Sequence, residues 1–151
     1  MIHITREGGK STKTKGSQRI VPVHAELQKL GFVNYVTRVR KSGGASLFPR
    51  IGANARGQVA GDYSRSYGKF LLKIGVKSDR ELNFHSFRHT FADALRRAGY
   101  RDEEFGFLLG HTQASTTGRY GVVSEGMLKD RVKLIASVSY PELVLPKSRE
   151  R

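Results

Sequence analysis

A mainly helical fold with one small antiparallel β-hairpin, an α+β arrangement, is what this chain predicts, and three observations carry the prediction. Short runs rich in β-branched residues stand at the front, Ile-His-Ile-Thr at 2–5 and Arg-Ile-Val-Pro-Val at 19–23, with a Gly/Ser/Lys-rich run between them. From His24 onward, apolar residues recur three or four positions apart, the period of helices with one buried face. A length of 151 residues with 38% apolar and 26% charged content suffices for a single core. One unit over 1–151 is therefore expected, with a hairpin over 1–23, a helical core over 24–121, and a last helix and tail over 122–151.

The hairpin's connecting run, Gly8 to Ser17, is too polar to bury and carries Lys10, Lys13 and Lys15 within reach of a phosphate backbone. After Pro22 the residues from His24 to Leu30 read as helical, with Gly31 as C-cap. A second helix follows from the stripe Phe32, Tyr35, Val36 and Val39, leaving Arg38, Arg40 and Lys41 on a solvated face. Residues 41–61 turn to Gly, Ser, Ala and Arg, a surface loop anchored by Leu47-Phe48-Pro49, in which Arg50 and Arg56 are candidate phosphate contacts. Asp62 or Ser64 is expected to cap a helix through Ile74, with Tyr67, Phe70, Leu71 and Ile74 as core and Gly75 closing it.

A further helix begins near Asn83 or Ser86 and ends at Gly99. Its buried stripe is Phe87, Phe91 and Leu95, flanked by Phe84, Ala94 and Ala98. Asp102 then caps a short helix through Leu109, stopped by Gly110, and another helical turn or two is expected over 115–120. Met127, Leu128, Val132, Leu134 and Ile135 predict a last helix. The extended tail over 137–146 is too apolar to be left in water, so it is expected to dock on this chain or on a neighbouring protomer.

Charge narrows the function. Lys and Arg number 27 against 13 Asp and Glu, a formal net charge of +14. Residues 1–61 hold 11 basic and 2 acidic side chains, so +9 of that excess is at the front. A polyanion, and double-stranded DNA above all, is the expected partner. The absence of cysteine excludes disulfides and thiolate metal sites. No apolar run approaches the roughly 20 residues of a membrane span and no signal-peptide core opens the chain, so no membrane association and a cytoplasmic location are expected.

The chemistry gathers in three stretches: His85-Ser86-Phe87-Arg88-His89, Leu109-Gly110-His111 and Thr116-Thr117-Gly118-Arg119-Tyr120. Opening a phosphodiester requires donors on the non-bridging oxygens and a proton for the leaving oxygen. Arginine offers paired planar donors, histidine moves protons near neutrality, and a tyrosine hydroxyl becomes a nucleophile beside cations or a base. A metal at His85 and His89 is not expected, because the glutamate of His-Glu-x-x-His is lacking and no further ligand lies nearby. His89 reads as structural, and His3 and His24 as ordinary strand-edge and surface residues.

His85-x-x-Arg88, Leu109-Gly110-His111 after 23 residues and Tyr120 after nine more strongly resemble the C-terminal signature of the tyrosine recombinase, or phage integrase, family. The resemblance covers roughly residues 2–121. It implies a recombinase catalytic-domain fold and a type IB reaction that needs no cofactor and no metal. In that reaction Tyr120 attacks the scissile phosphate, giving a 3′-phosphotyrosyl link and a free 5′-hydroxyl for strand exchange in DNA integration or excision. Arg88 would clamp the non-bridging oxygens, His85 would assist proton transfer at the tyrosine, and His111 would hydrogen-bond the phosphate. The family's hairpin lysine, general acid to the leaving oxygen, corresponds to Lys13 or to Lys15, and spacing does not choose between them. Lys10, Lys15, Arg50 and Arg56 would serve as DNA contacts.

The family also carries a first catalytic arginine, typically in Gly-x-Arg-x-x-Glu upstream of the hairpin, and an N-terminal DNA-clamping domain. Neither precedes the hairpin here, and Arg6-Glu7 is no substitute. The 151 residues are thus expected to be a partial catalytic domain that alone binds DNA weakly and cleaves it poorly or not at all. Family members act as tetramers on DNA, a bacterial or phage-encoded machinery of the nucleoid. Two rivals are a non-catalytic DNA-binding module of the same fold and a type IB topoisomerase-like relaxing enzyme.

Overall fold

The computed structural model describes residues 1–6, 18–52, 61–76, 82–111 and 125–146. Among them run, in order, β1 (Ile2–Ile4), β2 (Arg19–Val21), α1 (Ala25–Lys29), α2 (Phe32–Lys41), α3 (Gly61–Lys73), α4 (Ser86–Arg97), α5 (Asp102–Leu109) and α6 (Glu125–Ser137). The described residues are mostly helical with one two-stranded sheet, as the periodicity and the front-loaded β-branched runs predict. The chain divides into two compact units, Met1–Leu30 with Phe91–Arg151, and Gly31–Thr90, the division falling within α4.

In the first unit β1 and β2 pair antiparallel, with Ile2 opposite Val21, His3 opposite Ile20 and Ile4 opposite Arg19. The core is built by Ala92, Ala94 and Leu95 of α4, Phe105, Leu108 and Leu109 of α5, Leu134 and Ile135 of α6, and Val138 just beyond. Leu95 and Phe105 are fully enclosed. Burying one such side chain contributes about 1.5–3 kcal/mol, which makes this helical layer the main stabilising contact of the unit. Val21 and Tyr140 pack on its margin.

Side-chain bonds stitch the strand side of this unit to its helices. Arg19 Nε donates to Leu108 O at 2.9 Å, and Arg131 Nη1 of α6 donates to Ile20 O at 3.0 Å. Arg131 is buried, with its guanidinium carbon 4.8 Å from the Phe107 ring centre, and burial pulls its pKa down. His24 corrects its expected role as an ordinary surface residue. Its Nδ1 accepts from the Glu26 N–H at 3.1 Å and caps α1, which leaves the proton on Nε2 for Val138 O at 3.0 Å.

In the second unit Gly31 takes a left-handed φ of 80° between α1 and α2, a conformation open to glycine at little cost. The Phe32, Tyr35, Val36 and Val39 stripe is half-buried. Tyr35 donates its hydroxyl to Leu47 O and faces Phe48 across 6.4 Å, which anchors the Leu47-Phe48-Pro49 stretch. The helix of the second half begins at Gly61, so neither Asp62 nor Ser64 caps it, and Asp62 instead pairs with Arg65 at 2.9 Å. Gly75 closes it with a φ of 71°.

The aromatic stripe of α3 is corrected too. Of the expected core residues Tyr67, Phe70, Leu71 and Ile74, only Leu71 is buried. Tyr67 meets Phe84 and Phe87 at 5.5 and 5.9 Å, and Tyr63 meets Phe84 at 5.4 Å, yet Phe70, Phe84 and Phe87 each stay about half exposed. Phe87 and Phe84 therefore lie outside the buried face of α4, as does Ala98; Ala92, Ala94 and Leu95 form it. The turn expected over 115–120 lies outside the described residues.

Candidate active site

The N-terminus of α4 is shaped by Asn83. Its Oδ1 accepts from the His85 N–H at 2.8 Å, while its own N–H reaches Ser86 Oγ at 3.2 Å. Asparagine favours such local bonds over continuing a helix, so the chain turns here and α4 starts at Ser86. Backbone bonds Ser86 N to Asn83 O at 3.0 Å and Arg88 N to His85 O at 2.9 Å tighten the turn. The result sets His85 exposed immediately ahead of the helix and Arg88 half-buried in its first turn. The Arg88 guanidinium at a helix N-terminus favours an anion there.

His89 meets His85 edge to face, with ring centres 5.2 Å apart at 81°. It is exposed. Among the described residues no three His, Asp or Glu side chains are grouped to hold a metal ion.

His111 is placed by the end of α5. Gly110 adopts a φ of 78°, so that its N–H reaches Phe107 O at 3.1 Å and the His111 N–H reaches Gly106 O at 3.0 Å, a Schellman closure. The imidazole folds back over Gly106, where a Cβ would lie 3.5 Å from Nδ1. Its ring is exposed. Arg19 lies on the other side of this turn, where a Cβ on Gly110 would stand 2.6 Å from Nη1. At the start of α5, Asp102 is not the cap. Arg101 occupies that position, and the Glu104 carboxylate accepts from the Arg101 N–H at 2.7 Å. Asp102 instead takes both the Nε and Nη2 of Arg96, at 2.8 and 2.6 Å, and that pairing holds its carboxyl below the usual carboxylate range.

His85, Arg88 and His89 thus share one turn of the second unit, and His111 sits with Arg19 in the first. Arg50 is exposed after Pro49. Tyr120, Lys10, Lys13, Lys15 and Arg56 lie outside the described residues. Arg19, Arg131 and His24 are the structural surprises, because long-range bonds to carbonyls leave no periodic trace in a sequence.

The sequence matches the phage integrase family over residues 1–126, most of the chain, and that span contains Lys13, His85, Arg88, His111 and Tyr120. The chain belongs to the phage integrase family. No curated protein and no solved structure matches it. Membership brings with it, at a coarse level, site-specific recombination of DNA and hence DNA as partner. Within the family's frame, the His85–Arg88 turn and the Gly110–His111 turn are two separately built pieces of backbone, each fixed by its own local hydrogen bonds. Among the described residues no helix is long and apolar enough to cross a membrane.

Proposed function

We propose that residues 1–151 belong to a tyrosine recombinase catalytic domain, both compact units being parts of it, and that Tyr120 is the nucleophile. The Tyr120 hydroxyl oxygen attacks the scissile phosphorus and its proton passes to His85. The bond from phosphorus to the 5′-oxygen breaks, leaving a 3′-phosphotyrosyl link, and the departing oxygen takes a proton from Lys13 or Lys15. Arg88 neutralises the non-bridging oxygens with His111 as a further donor. The stored ester is then open to attack by a 5′-hydroxyl from another duplex, which exchanges strands without cofactor or metal. Copies of the chain assemble on paired DNA sites, with Lys10, Lys15, Arg50 and Arg56 on the backbone. The fold follows that of recombinase catalytic domains.

The observation that carries this reading is the family match over 1–126, a span that contains Lys13, His85, Arg88, His111 and Tyr120. The exposed His85 and half-buried Arg88 on one helix start support it. The experiment is covalent trapping on nicked duplex DNA. Wild-type chain should yield a protein–DNA adduct, and Tyr120→Phe none. One phosphate donor is worth roughly 10²–10³-fold in rate, so Arg88→Ala should lower the adduct yield by about that factor. Equal DNA binding with no adduct from either protein would instead favour a non-catalytic module, and plasmid relaxation without recombinants would favour a topoisomerase-like enzyme.

A further inference from the structure

The last turn of α5 carries no basic residue of its own, although the last turn of a helix has carbonyls to satisfy and a negative dipole end. Backbone closes Gly106 O and Phe107 O through His111 and Gly110. Leu108 O is taken by Arg19 Nε at 2.9 Å, from a strand 89 residues earlier. The rest of that guanidinium runs over Gly110, where an added Cβ would lie 2.6 Å from Nη1 and 3.1 Å from Cζ. Gly110 therefore serves two needs at once, its φ of 78° and the space for Arg19. A cation is thereby brought to the negative end of α5 by another element, and it presses on the turn that delivers His111.

We propose that Arg19 is a positioning residue for His111, locking the Leu109-Gly110-His111 turn to β2, the strand that follows the lysine-bearing residues in sequence. This rests on the reading of His111 as a phosphate donor. Arg19 acts through the turn rather than on the phosphate. Its planar group meets two demands together: Nε holds the Leu108 carbonyl while the Nη side fills the space over Gly110. A lysine ammonium gathers its donors at one point and has no plane, so it meets only the first.

Amide hydrogen exchange and the His111 imidazole resonances, followed by NMR on the 151-residue chain, test this without requiring cleavage. Arg19→Ala should speed exchange of the Gly110 and His111 amides roughly tenfold, the worth of a charge-assisted hydrogen bond. The His111 ring signals should shift, while the Ala98 amide, bonded to Ala94 O at 3.0 Å in α4, holds its rate. Arg19→Lys should give an intermediate acceleration and covers the case in which the alanine variant fails to fold. Unchanged exchange at 110 and 111, or acceleration equal to that at Ala98 in the lysine variant, overturns the proposal. The recombinase reading stands or falls separately, on trapping with Tyr120→Phe.

Discussion

A left-handed glycine costs different amounts to replace according to what stands over it. Gly99 and Gly110 end α4 and α5 with φ of 91° and 78°, so the backbone penalty for alanine is the same kind in both, about 1–2 kcal/mol. Their surroundings differ. A Cβ at Gly99 meets nothing within 4 Å, whereas at Gly110 it meets the Arg19 guanidinium at 2.6 Å. Alanine at 110 must therefore also push the Arg19 guanidinium aside, weakening its bond to Leu108 O, a charged hydrogen bond worth about 1.5–3 kcal/mol when intact. Urea unfolding should show Gly110→Ala destabilising by at least about 1 kcal/mol more than Gly99→Ala. Equal losses would mean that Arg19 yields freely. Sequence alone marked both glycines as helix stops, since a stop needs only positive φ. The added constraint at 110 was not legible, because a side chain arriving from β2 has no local signature.

Elements were legible where one chemical preference decided them, and illegible where a second surface did. Apolar spacing carried α2, α3, α4 and α6, Gly110 marked the end of α5, and the start of α4 read near Asn83 or Ser86 falls at Ser86, where the Asn83 amide competes with the backbone. Apolar spacing tells which side chains share a face, not whether anything covers it, which is why Phe70 and Phe87 were expected in a core and stand half exposed. Motifs fail in the same manner outside their context: Gly99-Tyr100-Arg101-Asp102-Glu103-Glu104 spells the family's Gly-x-Arg-x-x-Glu, yet here the arginine only opens α5, its N–H bound by Glu104 at 2.7 Å. The α4–α5 corner is held by Arg96, which reaches Asp93 at 2.8 Å as well as both carboxylate oxygens of Asp102. That pairing lowers the Asp102 pKa from its ordinary 3.8. A depressed carboxyl contributes stability that is complete above the unfolded value and disappears as pH falls through the folded one. Thermal unfolding from about pH 5 to about pH 2 should thus show a shallower loss for Asp102→Asn than for the wild type. Because these side chains are about half exposed, salt should shrink the difference; an identical pH slope in the two proteins would assign the corner no electrostatic role.

At the scale of the whole chain, the apolar tail divides into two halves with different physics. Its first half docks in cis. Val138 is 8% exposed within the core of the first unit, its carbonyl accepts from His24, and burial beside the core pushes the Tyr140 hydroxyl pKa up. The second half is largely uncovered, since Leu143 is 57% and Val144 90% exposed and Leu145 alone of its apolar residues is half-buried. The expectation that the tail docks on this chain or on a neighbour therefore splits by residue: 138 and 140 are covered by the chain itself, and 143 and 144 keep apolar surface in water. Truncation should separate the halves. Ending the chain after Ser137 removes a buried valine, part of a tyrosine and the partner of the His24 imidazole, together about 2–4 kcal/mol. Ending it after Pro141 should change the unfolding free energy of the monomer by no more than about 1 kcal/mol, the share of the half-buried Leu145. If the shorter truncation destabilised as much as the longer, Leu143 and Val144 would have to be covered within one chain. If it spared folding but weakened assembly on paired DNA sites, measured by sedimentation with and without duplex, the exposed half would be contact surface for a second copy. The two outcomes move different observables, stability in one case and association in the other, so one pair of truncations decides between them.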